Sequence, residues 1–206
     1  MKIFAHRNSG ALFSGRRSIM TKKKILPMAE CAVMVALATG LSLITLFKLP
    51  LGGSVTVLSM LPVCMFSIRH GVKWGLVCGF LYSVTQLLID LSAVLSWGLT
   101  PVAVAGCLAL DYIIAFTCLG LAGVFRDHGK LGMILGVCLA LTARFAAHVI
   151  SGTIIFDVWL PENWNNAFIY AICYNGSFML PELAMTGVAA FSLVSIPNLV
   201  KVNEKK

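Results

Sequence analysis

Long apolar runs, broken at short intervals by a few polar residues, organise this chain. Roughly six of these runs approach the ~20 residues that cross a bilayer as a helix. They lie at about 25–47, 54–69, 72–92, 99–123, 131–156 and 165–196. The second run is short and its link to the third is tight, so those two are expected to form a hairpin. Within the runs, small residues recur at helical spacing: Ala32-x-x-x-Ala36, Gly71-x-x-x-Gly75-x-x-x-Gly79 and Gly132-x-x-x-Gly136. Such spacing lets another helix approach closely. The approaching helix is either part of the same chain or, for the first run, a partner protein.

Composition turns this pattern into a fold class. Of 206 residues, 59% are hydrophobic and 12% charged, a balance foreign to ordinary soluble domains. The expected fold is an all-α integral membrane protein with six transmembrane helices. The net charge of +8 is explained by its distribution rather than by nucleic acid. Arg69 and Lys73 lie between the second and third runs, and Arg126 and Lys130 between the fourth and fifth. The opposite loops hold only Lys48 with Asp90, Asp157 and Glu162. Alternate basic loops follow the positive-inside rule and, with an even span count, put both termini in the cytoplasm. Trp97, Trp159 and Trp164 then fall near the outer interface.

Residues 1–24 are basic and lack the apolar core of a signal peptide. They are expected to be a disordered cytoplasmic arm, with Met20 an alternative start to Met1. Residues 25–196 form the membrane domain, and 197–206 a basic cytoplasmic tail. The seven cysteines lie inside apolar runs and form no C-x-x-C pair, so they read as small hydrophobes.

The chemistry sits at bilayer depth, where ionisable groups are costly and mark function. Arg144, His148 and Gly152 are spaced by four and share a helix face with Ser151 and Phe156. Arg144 supplies donors, His148 a donor or an acceptor, Phe156 a stacking surface, and Gly152 room for close backbone approach. Asp111, next to Tyr112, is a carboxylate at mid-depth. In the last run, Tyr170 and Asn175 precede Pro181 and Glu182, with Asn175 and Glu182 on one face. Pro181 either frees a carbonyl toward a cavity or only kinks the helix. Arg144 either serves a pocket or pairs structurally with Asp111 or Glu182; the two roles are compatible. Taken as ionised, Asp111, Glu182 and Arg144 leave one negative charge, which a monocation would neutralise.

The absences also constrain function. No G-x-x-x-x-G-K-[ST] sequence occurs, so the chain has no usual cradle for ATP phosphates. No metal-ligand spacing is present, and no cofactor is expected. Ser151 or Ser177 near His148 suggests no ordered triad or nucleophile elbow, and the chain is expected not to be an enzyme. Asn175-Gly176-Ser177 fits a glycosylation pattern but falls inside an apolar run.

Four landmarks, in order, carry a resemblance: Gly52-Gly53-Ser54-Val55-Thr56 with Ser59-Met60-Leu61-Pro62; Asp111-Tyr112 followed by Gly120–Arg126; Arg144–His148 with Ser151-Gly152; and Tyr170, Tyr174–Ser177 and Pro181-Glu182. Across roughly 25–196 the chain resembles the thiamine-specific S-components of energy-coupling-factor (ECF) transporters, the ThiT/YuaJ family. The resemblance implies a six-helix protein of the bacterial plasma membrane. It captures thiamine from outside, docks on a membrane coupling protein bearing two ATPases, and releases the vitamin inside by toppling. Residue by residue, it places the substrate site at Asp111, Tyr112, Arg144, His148, Gly152, Phe156, Tyr170, Asn175 and Glu182. It places the docking face at Ala32 and Ala36. Departures are Asp111 where some members have Glu, Phe156 where some have Trp, and Gly52–Gly53 where some have a nearby Trp. An S-component for another vitamin or a thiamine precursor, or a stand-alone secondary transporter, are the competing readings.

Overall fold

The structure is a computed structural model and describes residues 9–200, with side chains from Ile25 onward apart from Leu51. Helix α1, Ser9–Ser42, leads into a small antiparallel hairpin, β1 Thr45–Lys48 and β2 Ser54–Thr56, whose turn is the 3₁₀ segment Pro50–Gly52. Then follow α2 Leu61–His70, α3 Val72–Ser96, α4 Pro101–Gly123, α5 Gly129–Ile154, α6 Ala167–Leu193 and the short α7 Pro197–Val200. A 3₁₀ turn, Phe156–Trp159, follows α5. The expected arm 1–24 lies outside the described residues as far as residue 8, and its backbone is helical from Ser9 as the start of α1. The tail from Lys201 also lies outside them.

Five helices are long and apolar enough to span a bilayer: Ile25–Ser42 of α1, α3, α4, α5 and α6. Between 22% and 44% of each apolar window is buried within the protein. The remainder presents large apolar side chains outward, such as Val33, Leu37, Val102, Leu131, Ile154, Val188 and Phe191. That surface needs lipid rather than water as its solvent. This is an all-α membrane protein.

The expected second span, 54–69, has a different form. Its first residues are β2, and only Leu61–His70 is helical. At 1.5 Å per residue, α2 is about 15 Å long, roughly half a hydrocarbon core. Local chemistry accounts for the split. Gly52 takes a φ of +95°, open mainly to glycine, and turns the chain into β2. Pro62 then sits in the first turn of α2, where its missing N–H costs nothing. Every side chain from Leu61 to Ile68 is buried, so α2 is held by the other helices instead of crossing beside them. Gly71, at φ +88°, turns the chain directly into α3.

The small-residue motifs of α3 and α5 pack within the chain. A Cβ on Gly75 or Gly79 would lie 2.8 Å from the carbonyl oxygens of Gly120 and Phe116 in α4. One on Gly136 would lie 2.2 Å from Ala122 O. Ser67 joins the same seam, donating to Gly120 O (2.5 Å) and accepting from Gly123 N (3.0 Å). The α1 stripe differs. Cys31, Val35 and Ala38 face the core, whereas Ala29, Ala32, Ala36 and Gly40 are exposed.

Helix caps fix the remaining boundaries. Thr100 Oγ1 accepts from Ala103 N at the start of α4. Asn166 Oδ1 accepts from Phe168 N and Ile169 N at the start of α6, satisfying amides that the helix itself leaves free. The chain's up-and-down course gathers the hairpin, the α3–α4 connection and the α5–α6 connection at one end. Trp97 beside both Gly52 and Trp159 ties these segments together. Gly71, Arg126, Arg69 and Asn198 meet at the other end.

Candidate functional site

A cavity of about 500 Å³ lies between the hairpin and helices α3 to α6. All nine residues singled out in the sequence as substrate-contacting line it: Asp111, Tyr112, Arg144, His148, Gly152, Phe156, Tyr170, Asn175 and Glu182. They come from three helices and one connecting turn, so only the packing of α4 against α5 and α6 unites them.

Asp111 and Tyr112 stand on a π-helical stretch, Leu108–Ile114, inside α4. Widening the turn to i→i+5 stacks residues five apart, and such turns recur at functional sites. Two pairs five apart, Cys107 with Tyr112 and Asp111 with Phe116, therefore all line the cavity. A regular helix would have turned part of this set away.

A single chain of hydrogen bonds runs through the centre. Arg144 Nε donates to His148 Nε2 (3.3 Å), and His148 Nδ1 meets Asp111 Oδ1 at 2.7 Å. Since Nε2 accepts, the imidazole is neutral with its proton on Nδ1, which donates to Asp111; this assignment follows from the network. Ser151 Oγ donates to the other oxygen, Asp111 Oδ2. Among the described residues Arg144 makes no direct ion pair with Asp111 or Glu182, and His148 stands between the guanidinium and Asp111. Arg144 also lies with Cζ 4.1 Å above the Phe116 ring, a cation–π contact. Its Nη1 is buried without a partner among the described residues.

Asn175 Nδ2 donates to Ala171 O (2.9 Å) and His148 O (3.3 Å), leaving Oδ1 as its free cavity group. Gly152 lines the cavity, but its missing Cβ makes room for α6: a Cβ there would lie 2.9 Å from Ala171 Cβ. Glu182 is 1% exposed, and its Oε1 accepts from Thr56 N (2.5 Å) and Thr56 Oγ1 (2.7 Å). Thr56 Oγ1 in turn accepts from Ser59 Oγ (2.7 Å). Glu182 thus ties β2 to α6, and its Oε2 is sealed by burial. Tyr174 holds the hairpin turn from the other side, donating to Pro50 O and accepting from Gly53 N (3.3 Å). Gly53 has no room for a side chain, with Phe178 2.8 Å from the position of a Cβ.

Aromatic rings form the upper wall. Phe156 packs edge-on with Trp97 (5.9 Å between centroids) and against Trp159 (5.5 Å). Tyr170 stands between Trp164 (5.3 Å) and Tyr174 (6.0 Å). Trp97 had been expected at the outer interface, and Asp90 in an outer loop. Trp97 caps α3 at the hairpin end, Asp90 stands inside α3, and both line the cavity. The hairpin residues Lys48, Gly53 and Thr56, and Ser59 just beyond, were likewise not anticipated as lining. A signal for α3 was present: Gln86, Asp90, Ala93 and Trp97, at steps of four, three and four, share one helix face. No comparable signal existed for the hairpin, whose folding back onto α6 is a tertiary event.

Apolar helices around a cavity lined by ionisable and aromatic side chains define a membrane-embedded protein with room for a small molecule. Comparisons with known proteins narrow that class. The family described as thiamine transporter protein (Thia_YuaJ) matches residues 28–201, and the chain belongs to this family. The thiamine transporter ThiT of Bacillus subtilis (strain 168) is 31% identical over 194 residues, covering 87% of this chain and 96% of that protein. The solved structure of ThiT from Listeria monocytogenes shares the fold with a TM-score of 0.69 at 23% identity, covering 87% of this chain and all of that one.

Proposed function

We propose that this chain is the substrate-capturing component of an ATP-driven vitamin importer and that its cavity binds one thiamine from the outer side of the bacterial plasma membrane. The observation that carries this reading is the convergence in one cavity of all nine residues carried over from the family resemblance. The charge inventory supports it. Asp90, Asp111 and Glu182 line the cavity against Lys48 and Arg144, an excess of one negative charge that suits a monocation. The remaining lone pairs of the Asp111 carboxylate, Asn175 Oδ1 and the Tyr170 hydroxyl suit an aminopyrimidine, and the rings of Phe156, Trp97 and Tyr170 suit a thiazolium.

Sidedness rests on the loops. Arg69, Lys73, Arg126 and Lys130 mark the end away from the hairpin as cytoplasmic, so both termini are cytoplasmic and the hairpin faces outward. The exposed stripe Ala29, Ala32, Ala36 and Gly40 on α1 is the proposed docking face for an ECF coupling protein, with two ATPases behind it to supply the energy. The named relatives are transporters, and the present reading assigns no reaction to the chain.

Calorimetric titration of the purified protein with thiamine, riboflavin and biotin tests the substrate. One thiamine per chain is expected, with the other two vitamins at least a hundredfold weaker. No heat with thiamine alongside tight binding of another vitamin removes the reading.

A further inference from the structure

We infer that Asp90 is the residue that recognises the positive charge of the ligand, separately from the hydrogen-bonding cluster at Asp111. This inference rests on the thiamine reading above and deepens it. Three carboxylates line the cavity, and their environments differ. Both oxygens of Asp111 already accept protein hydrogen bonds, from His148 and Ser151. Its charge is also linked to Arg144 through the neutral imidazole. Glu182 commits Oε1 to two donors of Thr56 and has Oε2 sealed by burial.

Asp90 alone keeps an open oxygen. Its Oδ2 accepts a single hydrogen bond from Tyr112 Oη at 3.3 Å. Its Oδ1 has no partner among the described residues and is not sealed by burial. Lys48 lines the same cavity and acts on Asp90 through space, but makes no ion pair with it among the described residues. Asp90 is therefore a half-buried carboxylate facing the cavity with an open oxygen and no ion-paired cation among the described residues, and such a group gains from an incoming cation.

Its neighbours on α3 fit the same task. Trp97 stands two turns further along the same face and packs edge-on with Phe156. Carboxylate and indole on one stripe form a surface for a delocalised cation, which is attracted by both the charge and the ring face. Tyr112 bridges this stripe to the Asp111 cluster, because it follows Asp111 in the π turn and donates to Asp90. The two carboxylates thus divide the ligand: Asp111 and its partners meet the neutral ring, and Asp90 with Trp97 meets the charged one.

The test compares thiamine with an analogue whose thiazolium is replaced by a neutral thiophene. The unsubstituted protein should bind thiamine at least tenfold more tightly than the analogue. Asp90→Asn keeps the acceptor for Tyr112 and should lose at least tenfold for thiamine while holding the analogue within about twofold. Asp90→Glu restores the charge and should recover most of the preference. Asp111→Asn should weaken both compounds alike. Equal losses for both compounds in Asp90→Asn, or no loss for either, overturn the inference, as does equal binding of both by the unsubstituted protein. If the unsubstituted protein binds no thiamine, the underlying substrate reading falls as well. Thermal unfolding midpoints and analogue binding on the same preparations separate a folding defect from lost recognition.

Discussion

His148 is held on both sides, by Arg144 Nε and by Asp111 Oδ1. That pair of hydrogen bonds fixes its tautomer, its ring plane and the direction in which the Asp111 carboxylate presents itself. Replacing it with alanine removes the link between a buried cation and a carboxylate without touching the apolar seams of the helices. His148→Ala and Asp111→Asn are each expected to weaken thiamine binding by roughly ten- to a hundredfold, the equivalent of losing a hydrogen bond to a charged group at about 1.5–3 kcal/mol. Calorimetry and thermal unfolding on the same samples check this. A lowered unfolding midpoint with unchanged affinity would assign the pair a structural role only. Trp97 provides an optical readout, because it lines the cavity and is a fluorophore.

Two elements depart from regular geometry, and each serves the cavity. The π stretch of α4 turns Asp111 and Phe116 to the same side, and the C-terminal end of α4 tightens into 3₁₀ form against α2 and α3. Glycines permit that contact: a Cβ on Gly120 would sit 2.3 Å from the backbone nitrogen of Leu76. Backbone cannot yield as a side-chain tip can, so Gly120→Ala is expected to destabilise the protein by roughly 1–3 kcal/mol through overpacking. The measurement is the unfolding midpoint in detergent; an unchanged value would show that α3 and α4 have slack at this seam. The hairpin is the other departure. It is attached through Thr56 to Glu182 and through the Pro50–Gly53 turn to Tyr174. Glu182→Ala would leave the β2 amide without its acceptor, and is expected to speed thiamine dissociation severalfold in stopped-flow fluorescence. An unchanged rate would mean that the Thr56 contact does not hold the hairpin over the site.

At the scale of the molecule, the apolar exterior, the cavity and the small-residue stripe of α1 are three separate surfaces. α1 has one face in the core at Cys31, Val35 and Ala38 and leaves its small-residue stripe uncovered. Small residues in lipid gain little from burial by area, but they let a second backbone approach closely. The double substitution Ala32→Trp, Ala36→Trp is expected to abolish co-purification with an ECF coupling protein and uptake into cells. Thiamine binding by the isolated chain should survive, since neither residue lines the cavity. Persistence of uptake would move the docking face elsewhere, and loss of binding would show that the stripe serves internal packing.

Hydropathy, charge and spacing were sufficient to define the class of protein and much of the site. An apolar run long enough to cross a bilayer has few alternatives to a helix, because hydrocarbon leaves backbone groups no other partners. An ionisable residue inside such a run, as at Asp111, Arg144, His148 and Glu182, stands out against a uniform background. The form of the second run, a short strand followed by a ten-residue helix, was outside the reach of hydropathy, which reports burial without distinguishing burial in protein from burial in lipid, and α2 is buried in protein. The partners of each polar group were likewise outside its reach. Asp111 pairs with His148 rather than with Arg144, and Glu182 turns one oxygen to Thr56, 126 residues away in the chain. Asp90 and Trp97 join the cavity because α3 packs with that face inward. These choices depend on distances between helices, which only the assembled bundle sets.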